Sequence, residues 1–304
     1  MLKIKIIYLF LFKKSTSMKA SSKLIKLNVF NVKLLSDDRS GETAYRELFS
    51  ELYKKDPRIN TYGEKCTELR TMVGIDSSDI VYGTLLNYTV IDPDKWFDKT
   101  EDRRTRVELP EDKLPNYKIW EYFFIPSLHR FCILDKSGVS KVQVGAFLEK
   151  GLTQVLKKNE EIKVSIEVSS DAIERIINAD EIRYLKINLS YSNNDLTYDY
   201  EKLIDDDMRV AKVEELEVEA KSRKKNSIDL EKSRLLKGYL RLSQSNGSAE
   251  ATIVENKKTV KIETKDHPLR LNVEVSDENI LKSVLEKMRS IFKRNNVKGK
   301  EKKK

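Results

Sequence analysis

Ile119-Trp120-Glu121-Tyr122-Phe123-Phe124-Ile125, followed by Pro126-Ser127 and then Leu128-His129-Arg130-Phe131-Cys132-Ile133-Leu134, is the stretch on which the fold turns. Aromatic and β-branched residues fill both arms, so each arm reads as a strand. Proline cannot donate to a ladder, which puts Pro126 in the turn and makes residues 117–134 a hairpin. The next segment has a different period. Val144, Phe147, Leu148, Leu152, Val155 and Leu156 line one face of a helix over 140–156, with Ser140 and Gln143 spaced as a capping box.

Upstream, residues 24–34 read as a strand in which Ile25, Leu27 and Val29 hold one phase and Phe30, Val32 and Leu34 the other. That change of face predicts a bulge or a strand buried on both sides. Residues 41–55 read as a helix, 80–91 as a strand and 162–168 as another. The first half therefore predicts the β-α-β-β-α-β order of a ferredoxin-like unit. Between its strands, residues 92–116 hold three prolines and many charges with no period, and Trp96 and Phe97 are the apolar anchors of this loop.

The second half predicts a short helix at 171–178 and a strand at 182–190 with one apolar phase. A helix at 198–210, a strand at 213–220 and a helix at 230–242 follow. A hairpin turning at Asn256-Lys257-Lys258, a strand at 270–275 and a last helix striped by Ile280, Val284, Met288 and Ile291 complete it. The expectation is an α+β protein of two lobes. Residues 18–161 form an N-terminal α+β lobe and 162–292 a mixed α/β lobe with a C-terminal hairpin and helix. Residues 1–17 are read as an extension outside the fold, because Met18 opens an ordinary start, and 293–304 as a disordered basic tail.

Charge follows the same division. The chain has 58 Lys+Arg against 49 Asp+Glu, formally +9. Residues 1–33 carry +8 and residues 292–304 carry +6, which leaves −5 for the 258 residues between them. The pI of about 9.2 is a property of the ends. Gly (10) and Pro (6) are too few for collagen-like or turn-dense architectures. Cys66 and Cys132 cannot build a disulfide framework or a four-ligand zinc site, and are read as reduced thiols of a cytoplasmic protein. The apolar run Ile6 to Phe12 is far short of the about 20 residues that span a bilayer.

Standard catalytic and nucleotide motifs are absent: there is no Walker A loop, no Gly-x-Gly-x-x-Gly, no His-Glu-x-x-His and no Cys-x-x-Cys. No metal or cofactor is expected. Asp205-Asp206-Asp207 has the ligand chemistry for Mg²⁺, but adjacent acids on a helix diverge, so it reads as a solvated patch. The acid/base candidates are the only two histidines, His129 and His267, with Asp266 beside the latter. The alternative is that each histidine fixes a turn. The phosphate-gripping candidates are Arg103, Arg104 and Arg106 in the loop and Lys293, Arg294, Lys300 and Lys302 in the tail. Glu101, Asp102 and Glu108 offset the loop arginines.

Several stretches resemble one family. They are Pro115-Asn116 leading into Tyr122 to Ile125, then Pro126 and His129; Val168-Ser169-Ser170-Asp171-Ala172-Ile173-Glu174-Arg175-Ile176; Leu185-Lys186-Ile187; and Lys261-Ile262-Glu263-Thr264-Lys265-Asp266-His267-Pro268-Leu269. The chain is similar over about residues 24–275 to a bacterial family known as domain of unknown function 4747. Residues 193–232 are more charged than that pattern. The resemblance implies a prokaryotic or phage-related cytoplasmic protein from a defence or mobile-element locus, and transfers no catalytic residue. Three functions stay open on the sequence: a nucleic-acid-binding or sensing component using the tails and the 92–116 loop; a metal-independent nuclease using His129 and His267; and a module that works through a protein partner.

Overall fold

The structure, a computed structural model, describes residues 22–36, 38–110, 113–190, 199–223, 226–276 and 278–292. The described residues form a mixed α/β architecture with six α-helices and three sheets. The spine is β1 (Lys23–Leu35), followed by α1 (Gly41–Lys55), β2 (Ile59–Tyr62), β3 (Lys65–Val73), β4 (Val81–Thr89), β5 (Trp96–Asp98), β6 (Arg103–Thr105), β7 (Lys118–Ile125) and β8 (Arg130–Leu134). Then come α2 (Lys141–Thr153), β9 (Glu161–Ile166), α3 (Ser170–Ile177), β10 (Glu181–Ser190), α4 (Asp199–Val210), β11 (Glu215–Lys221) and α5 (Arg234–Asn246). β12 (Gly247–Glu255), β13 (Lys258–Glu263), β14 (Arg270–Val275) and α6 (Ile280–Phe292) end the described chain.

The first sheet runs β14-β1-β8-β7-β4-β3-β2, with β9 also on β1, and it curls into a half-barrel. The ferredoxin-like order is not what forms. β4 is already a fifth strand beside β1, β7, β8 and β9, and a further hairpin, β2–β3, stands between α1 and β4 and widens the sheet again. Its strands, Ile-Asn-Thr-Tyr and the Thr-rich Lys65–Val73, alternate too weakly in hydropathy to announce themselves.

β1 is buried on both faces and keeps an unbroken register with its neighbours, so the change of phase marks double burial and not a bulge. Phe30, Val32 and Leu34 pack beneath α1 and α2 with Leu48, Phe49, Phe131 and Phe147. Ile25, Leu27 and Val29 face the other way, against Val284 and Met288 of α6. Ser140 caps α2 by accepting from the Gln143 amide at 3.4 Å. The Gln143 side chain turns instead to the Asn87 amide, so only half of the capping box forms.

The second sheet, β11-β10-β12-β13, packs one face on α3, α4 and α5 through Ile173, Ile187, Ile204, Leu240 and Ile253. β12 and β13 join through a two-residue turn in which Asn256 and Lys257 both have positive φ, matching the twist of a hairpin.

The connection between the sheets decides the architecture. β9 pairs with Phe30–Leu35 of β1, and β14 with Lys23–Asn28, along the same edge. Residues 168–267 thus leave after β9 and return just before β14, through a neck where Val168 bridges Pro268. β14 and α6 close on the first sheet, β14 by pairing with β1 and α6 by packing Val284 and Met288 against Ile25, Leu27 and Val29.

Candidate functional site

Two places gather side chains that folding alone does not call for: a buried polar socket between the lobes and an exposed hairpin at the far end of the first sheet.

The socket begins on β1. Asn31 and Lys33 fall on the same face of β1 as Ile25, Leu27 and Val29. Arg130 of β8 and Ser165 of β9 stand directly opposite Asn31, making a polar row across three strands. Arg130 and Glu167 are each 1% exposed and pair at 2.8 Å between Nε and Oε1. Arg130 Nη1 also donates to Asn31 Oδ1 at 2.8 Å and to the Leu128 carbonyl at 2.9 Å. Its guanidinium lies 4.7 Å over the Phe292 ring.

The last turn of α5 enters this row. Asn31 Nδ2 donates to the Ser245 carbonyl at 2.9 Å, Ser165 Oγ to the same oxygen at 3.1 Å, and the Val168 amide to the Gln244 carbonyl at 3.0 Å. Ser245 Oγ donates to Glu167 Oε2 at 2.7 Å, and Lys33 Nζ to Ser190 Oγ at 2.6 Å. A helix leaves its final carbonyls without intrahelical partners. Here β1, β9 and the neck supply them, and the cations Arg130 and Lys33 suit the negative end of the helix. Sequence reasoning missed these residues. The available signal was polar Asn31, Lys33 and Arg130 inside strands otherwise apolar on both phases.

The hairpin lies within residues 92–116, the stretch expected to be structureless. β5 and β6 pair with Phe97 opposite Arg104, Trp96 opposite Thr105 and Asp98 opposite Arg103. Directly opposed residues share a face, so Phe97 and Arg104 stand side by side. Trp96 and Phe97 are not anchors: they are 38% and 61% exposed. Arg103 pairs with Glu101, and Arg106 with Asp94 at 3.5 Å. Arg104 has no ion pair among the described residues. The base of the excursion is tied to the β2–β3 turn, since the Val90 amide donates to Glu64 and the Thr89 amide to Pro115. Tyr62 and Tyr117, 70% and 64% exposed, flank that base.

The remaining candidates are placed as follows. His129 sits at positive φ (55°) after the Pro126–Leu128 turn, its ring stacked 4.2 Å from Tyr45 and its carbonyl accepting from Val32. His267 and Asp266 are exposed at the neck, where the His267 carbonyl accepts from Ser169. One imidazole is thus held on the α1 side of the first sheet and the other at the neck. Asp205 is buried and paired with Arg209 at 2.9 Å. Among the described residues no cluster of three or more His, Cys, Asp or Glu is arranged to hold a metal. Both cysteines are buried free thiols, and burial pushes the Cys132 thiol up from its ordinary value. Lys293, Arg294, Lys300 and Lys302 lie outside the described residues. Among the described residues no helix is long and apolar enough to cross a membrane.

The fold is a mixed α/β architecture in which the segment that carries the second sheet leaves and re-enters along one edge of β1. The chain belongs to the family described as Domain of unknown function (DUF4747), whose model matches residues 23–292. A search of the curated proteins finds no match.

Proposed function

We propose that the chain is a docking module that engages a protein partner through the β5–β6 hairpin. The observation that carries this reading is the exposed cross-strand pair Phe97–Arg104. Trp, Tyr and Arg are the residues that dominate protein interfaces, and an isolated two-stranded ribbon is only marginally stable in water. Trp96, Tyr62 and Tyr117 extend the apolar contribution around the hairpin base.

Charge separates this reading from the nucleic-acid one. Residues 92–118 hold seven basic and eight acidic side chains, so a phosphate backbone would meet as many carboxylates as cations. The alternative keeps nucleic acid at Arg103, Arg104 and Arg106 and at the tail residues Lys293, Arg294, Lys300 and Lys302. The proposal includes a partner encoded in the same defence or mobile-element locus, as the family resemblance implies. The nuclease reading rests on His129, His267 and Asp266 and has no shared site to support it.

The test is purification from the native host of wild type, Phe97→Ala/Arg104→Ala and a Lys186→Ala control. One protein at equimolar ratio with wild type and Lys186→Ala, lost from the double variant, is expected, with a 260/280 nm absorbance ratio typical of protein. Nucleic acid that co-purifies and is displaced by salt would overturn the reading in favour of the alternative. Identical composition in all three samples would remove the hairpin from the site.

A further inference from the structure

The contact between the lobes differs in composition from the interior of either. The apolar interior divides into three clusters, and none of them combines residues of the first sheet with residues of the second. The lobes are joined by the neck and by polar contacts: Asn31 and Ser165 to the Ser245 carbonyl and Ser245 to Glu167 at the last turn of α5, Lys33 to Ser190, and Lys163 to Glu215. An apolar contact would lose its whole contribution on separation. Hydrogen bonds such as these are exchanged for bonds to water at small net cost. Relative motion is the default for lobes lacking a large apolar interface.

We infer that residues 168–267 form a swinging unit, pivoting on the neck and latched by the seating of the α5 C-terminus in the polar socket. The neck is built for this. Its strands meet at a single bridge, Val168–Pro268, and Pro268 contributes no amide donor. The bonds flanking the bridge, Ser169 to the His267 carbonyl and Leu269 to the Glu167 carbonyl, lie within the neck itself and survive opening. The Val168 side chain packs in the second lobe's apolar cluster, so its amide bond to Gln244 moves with that lobe and survives as well. Opening therefore breaks the bonds of Asn31 and Ser165 to the Ser245 carbonyl and of Ser245 to Glu167, while Ser169 and Leu269 stay bonded. It also leaves β10 paired between β11 and β12. This device stands whether or not the hairpin docks a partner.

Small-angle scattering on the full chain tests it. Ser165→Ala/Asn31→Ala removes both side-chain bonds to the Ser245 carbonyl and is expected to show a larger radius of gyration than wild type and Lys186→Ala. Native-state hydrogen exchange at Ser169, Leu269, Leu185 and Ile187 is expected to stay unchanged, since the neck and β10 remain paired. An unchanged radius of gyration, or an increase accompanied by faster exchange at all of these amides, means that there is no latch. Ser165→Ala alone carries the test if the double variant fails to fold.

Discussion

The two sheets manage polar side chains in opposite ways. The first is covered on both faces, by α1 and α2 on one side and by α6 and the second lobe on the other, so each polar residue on β1 needs a designated partner. The second is covered on one face only. Its outer face holds a lattice of exposed pairs: Lys186–Glu217, Lys221–Glu219, Lys261 with Glu250 and Glu263, and Lys163 reaching across to Glu215. On the open face water can replace any partner at once; within the closed socket, where Arg130 and Glu167 are each 1% exposed, it reaches them only when the lobes part. Similar ion pairs therefore differ in consequence because of where they sit.

The largest expected effect tests that contrast directly. Arg130→Ala leaves Glu167 buried without its cation and is expected to cost about 3–5 kcal/mol in urea unfolding. Lys186→Ala on the open face is expected to cost at most about 0.5 kcal/mol. Comparable losses from the two would remove the distinction.

The next effect depends on pH. Arg39 grips Glu160 with both Nε and Nη2, at 2.7 and 2.8 Å, and the Glu160 side chain is 1% exposed. These bonds, chiefly the hydrogen bond from Arg39, hold the Glu160 carboxyl down to about 2. A depressed folded-state value stabilises the protein above the unfolded value near 4.3 and is lost as pH falls through about 2. Wild type is expected to lose on the order of 2–3 kcal/mol through this group between pH 5 and 2, and Glu160→Gln to show a flatter profile. Glu263, on the outer face, is also held down to about 2, by Lys261 and then Lys265. Its contribution is expected to fade in 0.5 M salt, whereas that of Glu160 persists.

The smallest effect concerns Asn28. It is fully buried on β1, on the face toward α2, and neither side-chain atom has a hydrogen-bond partner among the described residues. Removing a buried, unsatisfied amide is favourable, so Asn28→Leu is expected to raise stability by about 1 kcal/mol in thermal or urea unfolding. A loss would mean that a bound water supplies the missing bonds.

What the sequence disclosed follows the same division. β10 alternates on one phase because only one of its faces is covered, and its reading needed no tertiary information. The helices over 41–55 and 140–156 were legible from the periodic stripes that α1 and α2 bury. β1 was ambiguous because burial on both faces erases the period. The pairing of β14 with β1 joins residues some 240 positions apart in the sequence, and no local pattern encodes it. At the candidate sites, Arg104 was legible only as one of three loop arginines with Arg103 and Arg106, and neither its pairing with Phe97 nor the exposure of Trp96 and Phe97 was. Asn31, Lys33 and Glu167 read as ordinary polar residues until α5 is seen to end on them.

The single bridge between Val168 and Pro268 has an evolutionary consequence. A segment that leaves and re-enters a domain at adjacent residues can be exchanged as a cassette without rethreading the rest of the chain. Grafting, shortening or replacing 169–266 would leave β9 and β14 free to keep their places on β1. Diversification in this family therefore has a route that leaves the curled sheet intact, with the socket row Arg130, Asn31 and Ser165 as the fitting that any replacement has to match.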